Sequence, residues 1–268
     1  MEVAPISAGE ALAWTCLVAA LLLAGLIALG ALAPEAARNI TIGGALEVVI
    51  YVAASLWLVK GARPRSSALG LTRAPLGLLL AALLLGVFVH APADFLAWIG
   101  QRLFPESESV LRERARALAP ASLSGRVALA SVVVFAAPLV EELFFRGALY
   151  ARLLRTSEVR ARAHAHRRAI GVTAVCFALS HVEPRIWLAL APLGVVLGIL
   201  RAQNYGIFPS FLLHAAFNAT TLAVAFAEPR RAPVVAPDPL LVLLGTAVSG
   251  ALLVLVVRFS RGGKGAPA

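Results

Sequence analysis

Three long apolar runs of this sequence contain ionisable or amide side chains. The interrupting residues are Glu141, Glu142 and Arg146 in the first run, His181 in the second, and His214 and Asn218 in the third. An ionisable group at the centre of a membrane-spanning helix costs about 2.5–3.5 kcal/mol on insertion scales, and such residues usually mark a functional site. The three runs therefore predict one polar site built by three helices.

The spacing within the first run predicts different roles for its two carboxylates. Glu142 and Arg146 are four residues apart, so on a helix they share a face and can form an ion pair. Glu141 is rotated by about 100° around the helix, so Arg146 neutralises it less directly. A carboxylate without a fixed partner can act as a general base. Pro138 is predicted to loosen this helix, because proline removes a backbone hydrogen bond.

The histidines follow the same helical spacing. His214 and Asn218 are four residues apart, and so are Phe177 and His181, so each pair shares a helix face. Counted in helical residues from the nearest basic residues, His181 and His214 lie at about the same depth as Glu141. We therefore expect these side chains to converge near the middle of a bilayer.

The composition is that of a membrane protein. Apolar residues make up 60% of the 268 residues and charged residues 14%, whereas soluble domains are nearer half apolar and a quarter charged. The net charge of +10 comes from Lys and Arg residues in the short connections between apolar runs. That distribution is typical of topology-setting loops and argues against a nucleic-acid partner.

The hydropathy pattern predicts an all-α, polytopic membrane helix bundle forming a single domain over 1–268. A span needs about 20 mostly apolar residues. About eight transmembrane helices are predicted, at residues 11–33, 42–59, 75–99, 124–151, 168–182, 185–203, 206–227 and 239–258. The fifth and sixth are short, and the prediction leaves open whether one of them is re-entrant.

The distribution of charge also predicts the topology. More Lys and Arg residues fall in the connections on the side of the two termini, so both termini are expected in the cytoplasm. The N-terminal residues contain no basic leader, so the first apolar run is predicted to be retained. The mixed-charge connection 101–123 is predicted to be interfacial. The composition indicates a GC-rich bacterial genome, and hence a multi-pass protein of the plasma membrane.

The ordered motifs resemble a known family. Glu141-Glu142-x-x-x-Arg146, Phe177-x-x-x-His181 and His214-x-x-x-Asn218, in this order on successive apolar helices, resemble the CAAX protease and bacteriocin-processing (CPBP) family of intramembrane endopeptidases. The resemblance covers residues 124–227 as a catalytic core. It implies that Glu141 and His181 activate a water molecule and that His214 and Asn218 stabilise the oxyanion. Glu142, Arg146 and Phe177 are then supporting residues.

The resemblance leaves two mechanisms open. No HExxH motif of soluble metalloproteases occurs, and glutamate catalysis without a cofactor is favoured. Two histidines and a glutamate can also bind zinc, and the family has been described as metal-dependent. If zinc is bound, its ligands are predicted to be Glu141, His181 and His214.

Two other functions stay open at this level. Buried Glu, His and Arg residues also form proton relays in transporters, although transporters usually contain repeats in two halves and none is visible here. A non-catalytic scaffold or immunity protein has no need of all the motif residues. The predicted partners are a membrane protein or peptide substrate and the lipid bilayer. The sequence predicts neither the substrate's identity nor an oligomeric state.

Overall fold

The computed structural model describes residues 4–33, 40–154, 161–227 and 236–262, and every regular element in these ranges is a helix. The all-α prediction is therefore confirmed. The helices are α1 (Ala8–Leu32), α2 (Ile40–Leu58), α3 (Arg65–Ala68), α4 (Leu76–Phe88), α5 (His90–Leu103), α6 (Glu108–Leu118), α7 (Leu123–Leu153), α8 (Ala161–Ser180), α9 (Pro184–Ala202), α10 (Phe208–Ala227) and α11 (Pro239–Gly262). Some of the basic residues used to predict the topology lie outside the described ranges: Arg38, Arg155, Arg160, Arg230, Arg231 and Lys264.

Seven segments of the described chain are long and apolar enough to cross a membrane. They are α1, α2, α4 together with α5, α7, α9, α10 and α11. The predicted fifth span is not one of them. It belongs to α8, which begins at Ala161 and carries Arg162, Arg167 and Arg168 in its first half. The prediction of about eight spans is close, and the chain is a multi-pass membrane protein.

The outer surface of the bundle is apolar. Large side chains such as Ile27 on α1, Val49 on α2 and Leu243 on α11 are each about two-thirds exposed (64%, 65% and 66%). Charged and polar side chains are instead buried inside, among them Glu142, Arg146 and His214. Since a membrane protein faces hydrocarbon and not water, this distribution fits a bundle surrounded by lipid.

Helix α7 is irregular where it carries the polar residues. It consists of α-helical turns at Leu123–Ala130, Ala137–Glu142 and Tyr150–Leu153, separated by π-helical turns at Ser131–Ala136 and Leu143–Leu149. π-helical turns are rare and often mark functional sites. Glu141 and Glu142 thus lie at the end of a short α-helical turn that is bounded by π-helix on both sides.

Small residues let the neighbouring helices approach closely. Gly44 of α2 lies directly against Val132 of α7, and a side chain at Gly194 of α9 would come within 2.9 Å of the Ala174 backbone on α8. Such close approach is typical of helix packing in membranes. The site on α7 is therefore enclosed by α2, α8, α9 and α10.

Candidate active site

The ion pair of Glu142 and Arg146 is the most deeply buried part of the site. Arg146 Nη1 donates to Glu142 Oε1 at 2.8 Å, and neither side chain has any exposed surface. Arg146 Nη2 also donates to the carbonyl of Gly194, at 3.1 Å. The Arg146 carbonyl accepts a hydrogen bond from Arg201 Nε, at 2.8 Å. Arg201, near the end of α9, thus holds the backbone of the site.

His214 faces both carboxylates of α7. Its Nδ1 lies 3.3 Å from Glu142 Oε1, and its Nε2 lies 3.8 Å from Glu141 Oε2. Because Glu142 is already paired with Arg146, its oxygen acts as an acceptor and Nδ1 of His214 is the donor. Nε2 is then the ring atom that faces Glu141.

Unlike its neighbour Glu142, Glu141 forms no ion pair with Arg146. Its side chain is also buried, at 6% exposure. Its Oε2 receives no hydrogen bond from an N–H or hydroxyl donor in the described part of the chain. Glu142 is thus occupied by Arg146 and His214, whereas one carboxylate oxygen of Glu141 is available to a ligand.

His181 lies just beyond the end of α8 and is partly exposed. Its Nδ1 lies 2.9 Å from the carbonyl oxygen of Phe177. A carbonyl only accepts hydrogen bonds, so Nδ1 carries the proton and Nε2 of the neutral ring is an acceptor. The next residue, Val182, has a φ of 35°, which is a strained conformation for a β-branched residue. The tight turn holds His181 at the helix end.

Phe177 lies between the two imidazoles. Its ring is fully buried and meets that of His181 edge-on at 5.0 Å and that of His214 at 5.4 Å. The Arg146 guanidinium lies 4.6 Å from the centre of the same ring. Phe177 therefore fixes the positions of both histidines by contact.

Asn218 is tied to the irregular part of α7. Its Nδ2 donates to the carbonyl of Val133 at 2.8 Å, so the amide nitrogen, and not the oxygen, points this way. In the first π-helical turn the N–H of Ala137 bonds to the carbonyl of Val132, five residues back. The next bond in this pattern would join residue 138 to Val133, but Pro138 has no N–H. Asn218 takes the acceptor that Pro138 leaves free.

The polar residues do not form a metal-binding group. No cluster of three or more His, Cys, Asp or Glu side chains with a suitable arrangement occurs among the residues that the structure describes. The ring nitrogens of His214 both face carboxylates.

A family comparison agrees with the motifs. The model of the family described as type II CAAX prenyl endopeptidase Rce1-like matches residues 123–220. This is the CAAX protease family that the three motifs resemble. Together with the membrane-spanning helices, this match supports an intramembrane endopeptidase in general terms. Searches of curated proteins and of solved structures found no significant match.

Helix α2, outside the matched region, contributes two side chains that the sequence motifs do not include. The carboxyl group of Glu47 lies near that of Glu141. Tyr51, one turn further, packs edge-on against Phe144 at 5.3 Å. Glu47 could have been identified from the sequence, because it is also an ionisable residue inside an apolar run.

A charged cluster lies close to His181. It consists of Glu106, Arg114, Glu183 and Arg185, joined by ion pairs of 2.7–3.0 Å. Glu183 is two residues from His181, whereas Arg168 is at the other end of the apolar part of α8. The end of the bundle that carries α6 is therefore the nearer one to His181. The membrane side that this end faces, and the interfacial position of 101–123, stay predictions.

Proposed function

We propose that this protein is an intramembrane protease of the CAAX protease type, which hydrolyses a peptide bond of a membrane-associated protein or peptide by glutamate catalysis. The observation that carries the proposal is the unequal use of two adjacent carboxylates. Glu142 is bound by Arg146 and His214, while Oε2 of Glu141 has no donor. A buried carboxylate oxygen without a partner suits the abstraction of a proton from water.

The remaining side chains supply the other requirements of peptide hydrolysis. Glu141, assisted by the acceptor Nε2 of His181, takes a proton from water as the oxygen attacks the carbonyl carbon. The resulting oxyanion accepts hydrogen bonds from Asn218 and from Nε2–H of protonated His214, which are donors aimed at developing charge. The C–N bond then breaks, and the proton held by Glu141 passes to the leaving amine.

Glu141→Gln tests the role of the glutamate. The amide keeps the shape of the side chain and loses the proton acceptor, so cleavage is expected to vanish while the protein stays folded in the membrane. The termini of membrane proteins are compared between cells carrying the wild type and cells carrying the variant. Glu106→Gln, a matched change in the charged cluster, is expected to retain all wild-type cleavage products.

A peptide spanning the identified cleavage site then separates the two mechanisms. The purified protein is assayed in detergent with and without 1,10-phenanthroline, alongside metal analysis. Glutamate catalysis predicts activity that resists the chelator. Stoichiometric zinc together with chelator-sensitive activity would show that zinc catalysis replaces glutamate catalysis, while the assignment as a protease would stand. A transporter or a scaffold predicts no terminus that depends on Glu141.

A further inference from the structure

The second π-helical turn of α7 passes over one backbone carbonyl. In an α-helix the N–H of Tyr150 would bond to the carbonyl of Arg146, four residues back. Here it bonds to the carbonyls of Phe145 and Gly147 instead, on either side of Arg146. The π-helical turn ends at Leu149, and the next N–H in an α-helical pattern reaches Gly147. The Arg146 carbonyl therefore needs a donor from outside α7.

Arg201 of α9 supplies this donor. Its Nε donates to the Arg146 carbonyl at 2.8 Å. Its guanidinium lies 5.2 Å from the centre of the Tyr150 ring, whose hydroxyl bonds to Nδ1 of His166 at 2.7 Å. On another side, a side-chain carbon at Gly70 would come within 3.3 Å of the same Nε. The Arg201 side chain is thus packed between a ring and the backbone, and this packing keeps its Nε at the one carbonyl.

The first π-helical turn has the same arrangement. The N–H of Ala137 passes over the carbonyl of Val133 and bonds five residues back. Asn218 of α10 donates to the Val133 carbonyl at 2.8 Å. Each of the two carbonyls that the π-helical turns pass over is thus bound by a side chain from another helix. Glu141 and Glu142 lie between these two bonds, so the path of α7 is held on both sides of its carboxylates.

We propose that Arg201 is a positioning residue that keeps α7 in its π-helical register and so fixes the direction in which Glu141 and Glu142 point. This inference rests on the proposed function of those two residues. Without the donor, the N–H of Tyr150 returns to the Arg146 carbonyl and the helix loses the extra residue of the π-helical turn. The two parts of α7 then rotate against each other by about 100°. Arg201 acts on the reaction through the backbone of α7.

Arg201→Gln and Arg201→Met form a matched pair of tests. Nε2 of Gln has the same place along the side chain as Nε of Arg and keeps a donor, whereas Met has a methyl carbon there. Both variants lose the positive charge over Tyr150, so they differ from each other in the donor. With the purified protein and the cleavage-site peptide, Arg201→Met should lower kcat by at least about 100-fold, the loss typical of a displacement of about 1 Å. Arg201→Gln keeps kcat within a few-fold, and KM stays near the wild-type value in both.

Gln203→Met is the control at the same end of α9. Gln203 Nε2 donates to the carbonyl of Ile199 in its own helix, at 2.9 Å, so this change removes a similar bond that does not involve α7. The control is expected to keep the wild-type kcat. Crystal structures of the two Arg201 variants test the proposal without activity. In Arg201→Met the N–H of Tyr150 is expected to bond to the Arg146 carbonyl, whereas in Arg201→Gln the π-helical turn remains.

Equal losses of kcat in Arg201→Gln and Arg201→Met would overturn the proposal, and so would an unchanged kcat in both. An intact π-helical turn in the crystal structure of Arg201→Met would overturn it as well. If Arg201→Met does not fold, Arg201→Gln decides alone: a kcat near that of the wild type upholds the proposal, and a large loss in the folded variant overturns it. Cleavage by Glu141→Gln would instead refute the proposed base, and this outcome is distinct because it involves no change at Arg201.

Discussion

The charged cluster at the α8–α9 turn and the Glu142–Arg146 pair use the same side-chain chemistry in opposite surroundings. In the cluster, the side chains of Arg114, Glu183 and Arg185 are 36%, 33% and 22% exposed. Those of Glu142 and Arg146 are fully buried. Exposed ion pairs contribute about 0–1 kcal/mol, whereas removal of one partner of a buried pair leaves a charge without compensation. Ion pairs with similar N–O distances therefore differ greatly in the free energy of unfolding that is lost when one partner is removed.

The largest effect is expected for Arg146→Met. This change leaves Glu142 buried without its cation and should lower the free energy of unfolding by about 3–5 kcal/mol. Unfolding in mixed detergent micelles measures the loss. The double variant Arg146→Met/Glu142→Leu should recover much of the stability, because no buried charge remains, yet stay inactive, because His214 loses its acceptor at Nδ1. If Arg146→Met alone were as stable as the wild type, the buried pair and the charged cluster would not differ in their contribution to stability.

The next effect is catalytic. Asn218→Ala removes the proposed donor to the oxyanion and should lower kcat by about 10²- to 10³-fold, or roughly 2.7–4 kcal/mol of transition-state stabilisation. Peptide cleavage by the purified protein measures this loss. Thr220, on the same helix, bonds its own backbone at Ala216, so Thr220→Ala is the control and should be nearly as active as the wild type. Equal losses in both variants would assign Asn218 a structural role only.

A smaller effect is expected for Pro138→Ala. The new N–H can bond to the Val133 carbonyl and compete with Asn218, so kcat should fall by about 2- to 10-fold, the worth of one neutral hydrogen bond. Pro192→Ala, at the exposed proline inside α9, controls for the removal of a proline. In an Asn218→Ala background the effect of Pro138→Ala should disappear. An undiminished effect there would show that Pro138 does not act through Asn218.

The smallest effect is expected in the charged cluster. Arg114→Ala breaks ion pairs with Glu106 and Glu183, but these groups are partly exposed. The free energy of unfolding should fall by no more than about 1 kcal/mol, and by less at high salt, which screens exposed charges. Unfolding at two salt concentrations measures both. A loss as large as that of Arg146→Met would mean that the cluster is shielded from solvent.

The sequence by itself determined the helices and the residues of the three motifs. Runs of about 20 apolar residues can only be spanning or buried helices, and the high cost of an ionisable group in such a run singles out Glu141, His181 and His214. The spacing of four residues also predicted that Glu142 faces Arg146, since helical periodicity is a local property.

Only the tertiary structure decided how α7 meets the helices that enclose it. The packing of α2 against α7 depends on the close approach at Gly44, and the bond from Asn218 to Val133 depends on a π-helical turn before Pro138. Neither follows from spacing within one segment. The sequence marks a polar residue as costly, but its partner is set by the register between helices that are distant in the chain, which is a result of packing.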